Sequence, residues 1–196
     1  MSEWWTYSLT DFLLFSPATY ARLFALYNHA VWPAQLVALA AGAFLLAMGW
    51  RRHPAFPRAA LAALALGWAW TGWAFHLQRY ATINWAAVWF AAGFLVQAAL
   101  LGVAAVKFGD AAPTTGARFT AGVAMWALAL LYPLLAPMTG RPFDQAEVIG
   151  FAPDPTALAT LGLLLMTRLP WRWLLLPLPL LWCVISGATL WTMAAA

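Results

Sequence analysis

The stretch from Trp85 to Val106 is apolar throughout, with Gln97 as its one polar side chain. A helix of that length reaches across the ~30 Å hydrocarbon core of a bilayer. Five more apolar stretches accompany it, running about Val31 to Trp50, Ala59 to Phe75, Phe119 to Met138, Thr156 to Thr167 and Trp173 to Met193. A soluble fold could not cover so much apolar surface. The chain is 65% apolar and 8% charged, whereas an ordinary globular domain is about 25% charged. The expectation is an all-α, polytopic bundle of six transmembrane helices, one integral membrane domain over residues 1–196, with spans between 31 and 193. The fifth stretch is short, and Pro153 and Pro155 make an earlier start irregular. A re-entrant or half-span reading of it stays open.

Residues 1–30 differ in character and are expected on the outer surface. Ser8 with Asp11 reads as a capping box, and Ser16-Pro17 as an N-cap followed by proline at the first helical position. Tyr20, Leu23, Phe24 and Tyr27 then fall on one helical face, as in an amphipathic helix lying at a membrane surface. The N-terminus lacks the basic start and long apolar run of a secretory signal. Cys183, the lone cysteine, reads as a small core residue.

Two features concern packing and the interface. Ala38 and Gly42 are four apart, as are Ala63 and Gly67, a spacing that lets helix backbones approach closely in lipid. It serves packing within one bundle, or contact with a second copy or another membrane protein. Nine tryptophans, Trp4, Trp5, Trp32, Trp50, Trp73, Trp85, Trp171, Trp173 and Trp191, sit near span ends as an aromatic belt would. Trp68, Trp70, Trp89, Trp126 and Trp182 lie deeper and call for another reason.

Alternate connections face opposite sides, which sorts the charges. One side collects Arg51, Arg52, Arg58, Lys107, Arg118, Arg168 and Arg172, with Asp110 as its only acid. The other holds Arg22, Arg79 and Arg141 with Glu3, Asp11, Asp144, Glu147 and Asp154. The positive-inside rule makes the first side cytoplasmic and leaves both termini outside. The basic pI then reports topology rather than nucleic-acid binding.

Candidate chemistry lies on the outer side. Gly72, His76 and Tyr80 form one helix row, with Arg79 beside it, at the end of the second span. His29 precedes the first span. If those spans are neighbours, His29 and His76 approach each other. With Asp144, Glu147 and Asp154 they would suit zinc or copper. Across a planar cofactor they would suit haem b. No metal-motif spacing supports either. The acids also have structural readings. Asp144 and Glu147 fit a capping box, and Asp154 fits the N-cap of the fifth span with Pro155 after it. Arg141 would bind an anion or pair with these acids. Gln97 reads as interhelical glue or a ligand contact. Pro133, Pro177 and Pro179 should kink the fourth and sixth spans. No charged residue falls clearly at mid-membrane, which argues against a buried carboxylate relay. Ser186, His76 and Asp154 have no spacing that suggests a catalytic triad, and no nucleotide-binding loop occurs.

Tyr27-Asn28 with Trp32-Pro33, then Gly72-Trp73-Ala74-Phe75-His76, then Ala152-Pro153-Asp154-Pro155-Thr156 resemble a family of uncharacterised bacterial multi-pass membrane proteins. The resemblance implies a bacterial inner-membrane location and no particular activity. The first functional expectation is an outward-facing pocket that binds or passes a small ligand or metal ion. It would be built from His29, His76, Tyr80 and Arg79 and roofed by Thr139 to Asp154. The alternatives are a redox (haem b) or lipid-active membrane enzyme, and a structural or assembly subunit of a larger complex. The lipid bilayer is the expected partner, and nucleic acid is not.

Overall fold

The computed structural model describes residues 15–195. The expected capping box at Ser8 and Asp11 lies outside them. The fold is all-helical, with α1 (Pro17–Val31), α2 (Ala34–Trp50), α3 (Phe56–Trp70), α4 (Ala87–Phe108) and α5 (Gly116–Leu131). The short α6 (Leu135–Met138) is followed by α7 (Pro153–Met166), the short α8 (Arg172–Leu175) and α9 (Pro177–Ala195). α3 continues without a break into a π-helical turn, Thr71–Leu77. α5 runs on through a 3-10 turn at Tyr132–Leu134 into α6.

Local chemistry explains α1. Ser16 accepts from the Thr19 amide at 3.1 Å, and Pro17 occupies the first helical position. Leu23, Phe24 and Tyr27 bury the face read from the sequence, with Tyr20 half-buried beside them. α1 turns 87° into α2 at Trp32-Pro33.

Three helical stretches are long and apolar enough to cross a membrane: Ala87–Phe108, Gly116–Met138 and Arg172–Met193. The bent pair α1–α2 passes the same test only when taken together. The expected set of six full-length spans is therefore not met. α2 has 17 residues, and α7 has 14, about 21 Å of helix.

α7 is short because it starts inside the fold. Twelve of its residues are buried, so neighbouring helices enclose every face. The chain leading into it is buried too, with Ala146, Glu147, Val148, Ile149 and Ala152 all under a tenth exposed. A Cβ added at Gly67 would lie 2.9 Å from the Gly150 Cα, so these two backbones touch. A Cβ at Gly42 would lie 3.6 Å from Ile149. Gly42 and Gly67 sit near the middles of α2 and of the α3–π helix, so the segment before α7 descends halfway down the bundle. The two small-residue ridges thus each place a glycine against this chain's own backbone or side chains. A second glycine pair, Gly122 and Gly162, brings α5 and α7 together; a Cβ at Gly122 would stand 2.7 Å from the Gly162 carbonyl oxygen.

The far end of α7 is tied down by its neighbours. Its last carbonyls accept from the Thr114 amide, the Thr114 hydroxyl and Arg118, at 2.8, 2.6 and 2.9 Å. The basic residues gather at this end. Arg52 lies over the Phe119 ring, Lys107 over Trp171 and Arg172 over Trp173.

Four of the five deeper tryptophans are hydrogen-bond donors across helices, Trp70 to the Tyr27 hydroxyl at 2.8 Å. Trp68 donates to the Thr160 hydroxyl at 2.8 Å, Trp126 to the Gly42 carbonyl at 3.1 Å, and Trp182 to Asp154. Trp89 is 71% exposed and has no such role.

Candidate functional site

Asp154 is the centre of the polar interior. The sequence suggests an N-cap, but Asp154 sits within the first turn and Ala152 precedes the helix. The reason is local. Pro153 and Pro155 carry no N–H, so few first-turn donors need an acceptor. Thr156 does the fastening instead: its hydroxyl donates to the Ala152 carbonyl at 2.6 Å and accepts from the Gly150 amide at 2.8 Å. That frees the Asp154 carboxylate to face other helices. Oδ1 accepts from Trp182 Nε1 at 2.7 Å. Oδ2 accepts from the Ser186 hydroxyl at 2.6 Å and the Tyr132 hydroxyl at 2.9 Å.

These donors and the start of α7 stabilise an anion. Of roughly four lone-pair positions on a carboxylate, three are taken. Pro133 holds Tyr132 in its 3-10 turn, so the expected kink positions a donor. Trp182 and Ser186 flank the middle of the Arg172–Met193 stretch, so Asp154 lies at half-height beside it. The sequence places Asp154 at a helix start in the outer connection; in the fold it is buried among the apolar helices.

Glu147, on the connecting segment before α7, is the second carboxyl here. Burial, and after it the Asp154 charge, hold it well above the usual carboxylate range, while Arg141 pulls the other way. The capping box expected at Asp144 and Glu147 does not form. Asp144 lies within a 3-10 turn, Phe143–Gln145, that Pro142 precedes. Asp144 pairs instead with His29, Nε2 to Oδ2 3.6 Å, at the surface. Arg141 Nε donates to the Thr139 hydroxyl at 3.2 Å.

His76 is fully buried, contrary to the expected place at an open outer pocket. Its ring is boxed by Phe94, Trp182, Phe75, Tyr80 and Phe90, with centroids 4.4 to 6.0 Å away. Among the described residues neither imidazole nitrogen has a hydrogen-bond partner. A neutral imidazole needs both a donor and an acceptor contact, so this is a costly burial. It sits in the π-helical turn, a geometry often found at functional positions. Trp182 is the shared wall: one ring packs on His76 and donates to Asp154. Ser186, His76 and Asp154 thus lie in one region, but not as a triad. The serine bonds the carboxylate directly, and no histidine stands between them.

The remaining candidates disperse. Tyr80 packs against His76, as its helix row suggests. Arg79 is half-buried in a surface cleft with Arg22 and Gln78. Gln97 Nε2 donates to the Leu175 carbonyl at 2.9 Å. That carbonyl lies four residues before Pro179, which cannot bond it, so the glue role explains the donor half of Gln97, while its buried Oε1 has no partner among the described residues. His29 and His76 sit in different surroundings: one side chain is 73% exposed beside Asp144, the other enclosed by rings. Among the described residues, no three His, Cys, Asp or Glu side chains converge as a metal site would need.

A model of one protein family matches residues 18–195, nearly the whole of this arrangement. The chain belongs to DUF6064, a family of unknown function. No curated protein and no solved structure matches the chain. The uncharacterised family expected from the sequence is thus DUF6064. The stretches behind that expectation meet in the fold of this DUF6064 chain. Tyr27 packs on Phe75 and donates to the Phe151 carbonyl at 3.1 Å, just before the turn that carries Asp154. Sequence reasoning missed Tyr132 and Trp182 as partners of Asp154. An aromatic donor close to a proline in each of two apolar stretches, Tyr132 before Pro133 and Trp182 after Pro179, was the available signal.

Proposed function

We propose that this chain is a multi-pass membrane protein that takes up and passes a small cation, the proton first, at the Asp154–Glu147 centre. The observation that carries the reading is the Asp154 carboxylate, held by Trp182, Ser186 and Tyr132 at the half-height of an apolar helix. An ionisable group at that depth is expensive and is a functional signal by default. Among the described residues no cation lies within ion-pairing distance of it, and it keeps one acceptor position open. Entry to α7 through buried, non-helical chain supports the same reading, because transporters place ion sites at such half-helix starts.

In this reading α2, the α3–π helix, α4, α5–α6 and α8–α9 cross the membrane, and α7 is a half-span running from mid-depth to the basic end. The exposed apolar side chains on these helices, such as Val37, Leu66, Val106, Leu128 and Val184, face lipid. The basic end faces the cytoplasm, α1 lies on the outer surface, and a bacterial inner membrane is the setting. Glu147, buried on the segment that leads into α7, is the second carboxyl of this centre. His76 lies on the other side of Trp182 from Asp154, toward the outer end of the α3–π helix.

The test is reconstitution in vesicles with a pH-sensitive dye inside. An imposed proton gradient, compared with sodium and potassium gradients, identifies the ion. Proton flux that Asp154→Asn abolishes is the expected result. Wild-type vesicles no leakier than empty ones to all three cations would end this reading.

A further inference from the structure

The crook between α1 and α2 holds a second polar feature, separate from Asp154. A pocket of about 450 Å³ opens there against the 3-10 turn that follows α5 and the chain before α7. Its wall is mostly apolar, with Trp32, Leu39 and Val148 among its residues. Its polar end is a hydrogen-bonded string. Asn28 Nδ2 donates to the Asp144 and Ala146 carbonyls at 2.7 and 2.8 Å, and Gln35 Nε2 donates to the Asn28 carbonyl at 2.9 Å.

The string ends unsatisfied. Gln35 is 6% exposed, and its Oε1 has no hydrogen-bond partner. Because Nε2 meets only acceptors, the amide cannot be turned over to relieve this. A buried acceptor in this position calls for a donor from outside the chain. The Asp144 carboxylate, at the mouth of the same pocket, adds negative charge that His29 offsets only when protonated.

We propose that this pocket binds an aminolipid, with the primary ammonium of the headgroup between Gln35 and Asp144 and an acyl chain along the apolar wall. An ammonium supplies three donors and a positive charge, which matches a lone acceptor beside a carboxylate. A headgroup whose net charge is negative would meet Asp144 unfavourably. Trp32, 63% exposed at the turn, stands where an indole borders a headgroup. The proposal rests on the membrane part of the reading above and not on its cation part.

Native mass spectrometry on protein from nanodiscs of equal phosphatidylethanolamine and phosphatidylglycerol tests it. Enrichment of phosphatidylethanolamine is expected, falling about tenfold in Gln35→Leu and in Asp144→Asn with the loss of a charge-assisted or buried hydrogen bond. Asp154→Asn should keep the enrichment while losing proton flux, which separates the two ideas. Equal retention of both lipids, preference for phosphatidylglycerol, or enrichment unchanged in both pocket variants overturns the proposal. A chain that stays monodisperse without detergent or lipid overturns it together with the membrane reading.

Discussion

Ser186 donates its hydroxyl hydrogen to Asp154 across 2.6 Å, joining the last helix to the first turn of α7. The bond is one of three that fix the carboxylate, so their loss should be felt together. Asp154→Ala leaves one buried donor, Trp182, and two half-buried ones, Tyr132 and Ser186, without their acceptor and should cost about 2–4 kcal/mol. Ser186→Ala removes one donor and should cost about 1–2 kcal/mol. Thermal unfolding in a mild detergent measures both. Equal, small losses would mean that the carboxylate is not held as described.

His76→Phe should leave stability unchanged or raise it, because an aromatic ring replaces two unpartnered nitrogens inside an aromatic box. The same variant should lower proton flux if the imidazole serves the ion path. A strong loss of stability would show that His76 has a partner in the folded protein after all.

The glycines divide into two groups. Gly67→Ala drives a Cβ to 2.9 Å from the Gly150 Cα, and backbone cannot swing aside. A loss of about 1–3 kcal/mol is expected, as for other overpacked sites. Gly102 and Gly187 have nothing within 4 Å of an added Cβ. Alanine there should be neutral or stabilising by up to about 1 kcal/mol through helix propensity. A ranked thermal-shift series over these three variants checks the contrast.

Glu147 gives a pH dependence of definite sign. Its folded-state carboxyl keeps its proton to higher pH than the ordinary value of 4.5. Above that value the unfolded chain ionises freely while the folded one does not, so the unfolded state binds fewer protons. Stability is fully present below the ordinary value and is lost as pH rises toward the raised one. Melting from about pH 4 to about pH 8 should therefore fall more steeply in the wild type than in Glu147→Gln. Parallel profiles would remove Glu147 as the cause.

What the sequence made legible was whatever its neighbours in the chain encode. Ser16-Pro17 starts α1, and the spacing of Leu23, Phe24 and Tyr27 sets its buried face, because both depend on residues a turn apart. Long apolar runs mark the helices for the same reason. Asp154 defeats that logic. Pro153-Asp154-Pro155-Thr156 is a good local signature of a helix start, and it is one. The partners that give Asp154 its other character are Tyr132, Trp182 and Ser186, which lie 22 to 32 residues away. No local spacing announces them. His76 was misjudged likewise: its position in the sequence suits an interface, and only the packing of α4 and α9 encloses it.

The enclosure of α7 has a consequence for how the protein is made. Newly synthesised α7 emerges before α9, yet two of the donors that neutralise its carboxylate's hydration loss belong to α9. A short helix bearing an ionised group is a poor candidate for lateral release from a translocation channel by itself. In the membrane reading proposed above, its commitment waits until Trp182 and Ser186 have been synthesised, so α7, α8 and α9 enter as one cooperative unit rather than helix by helix.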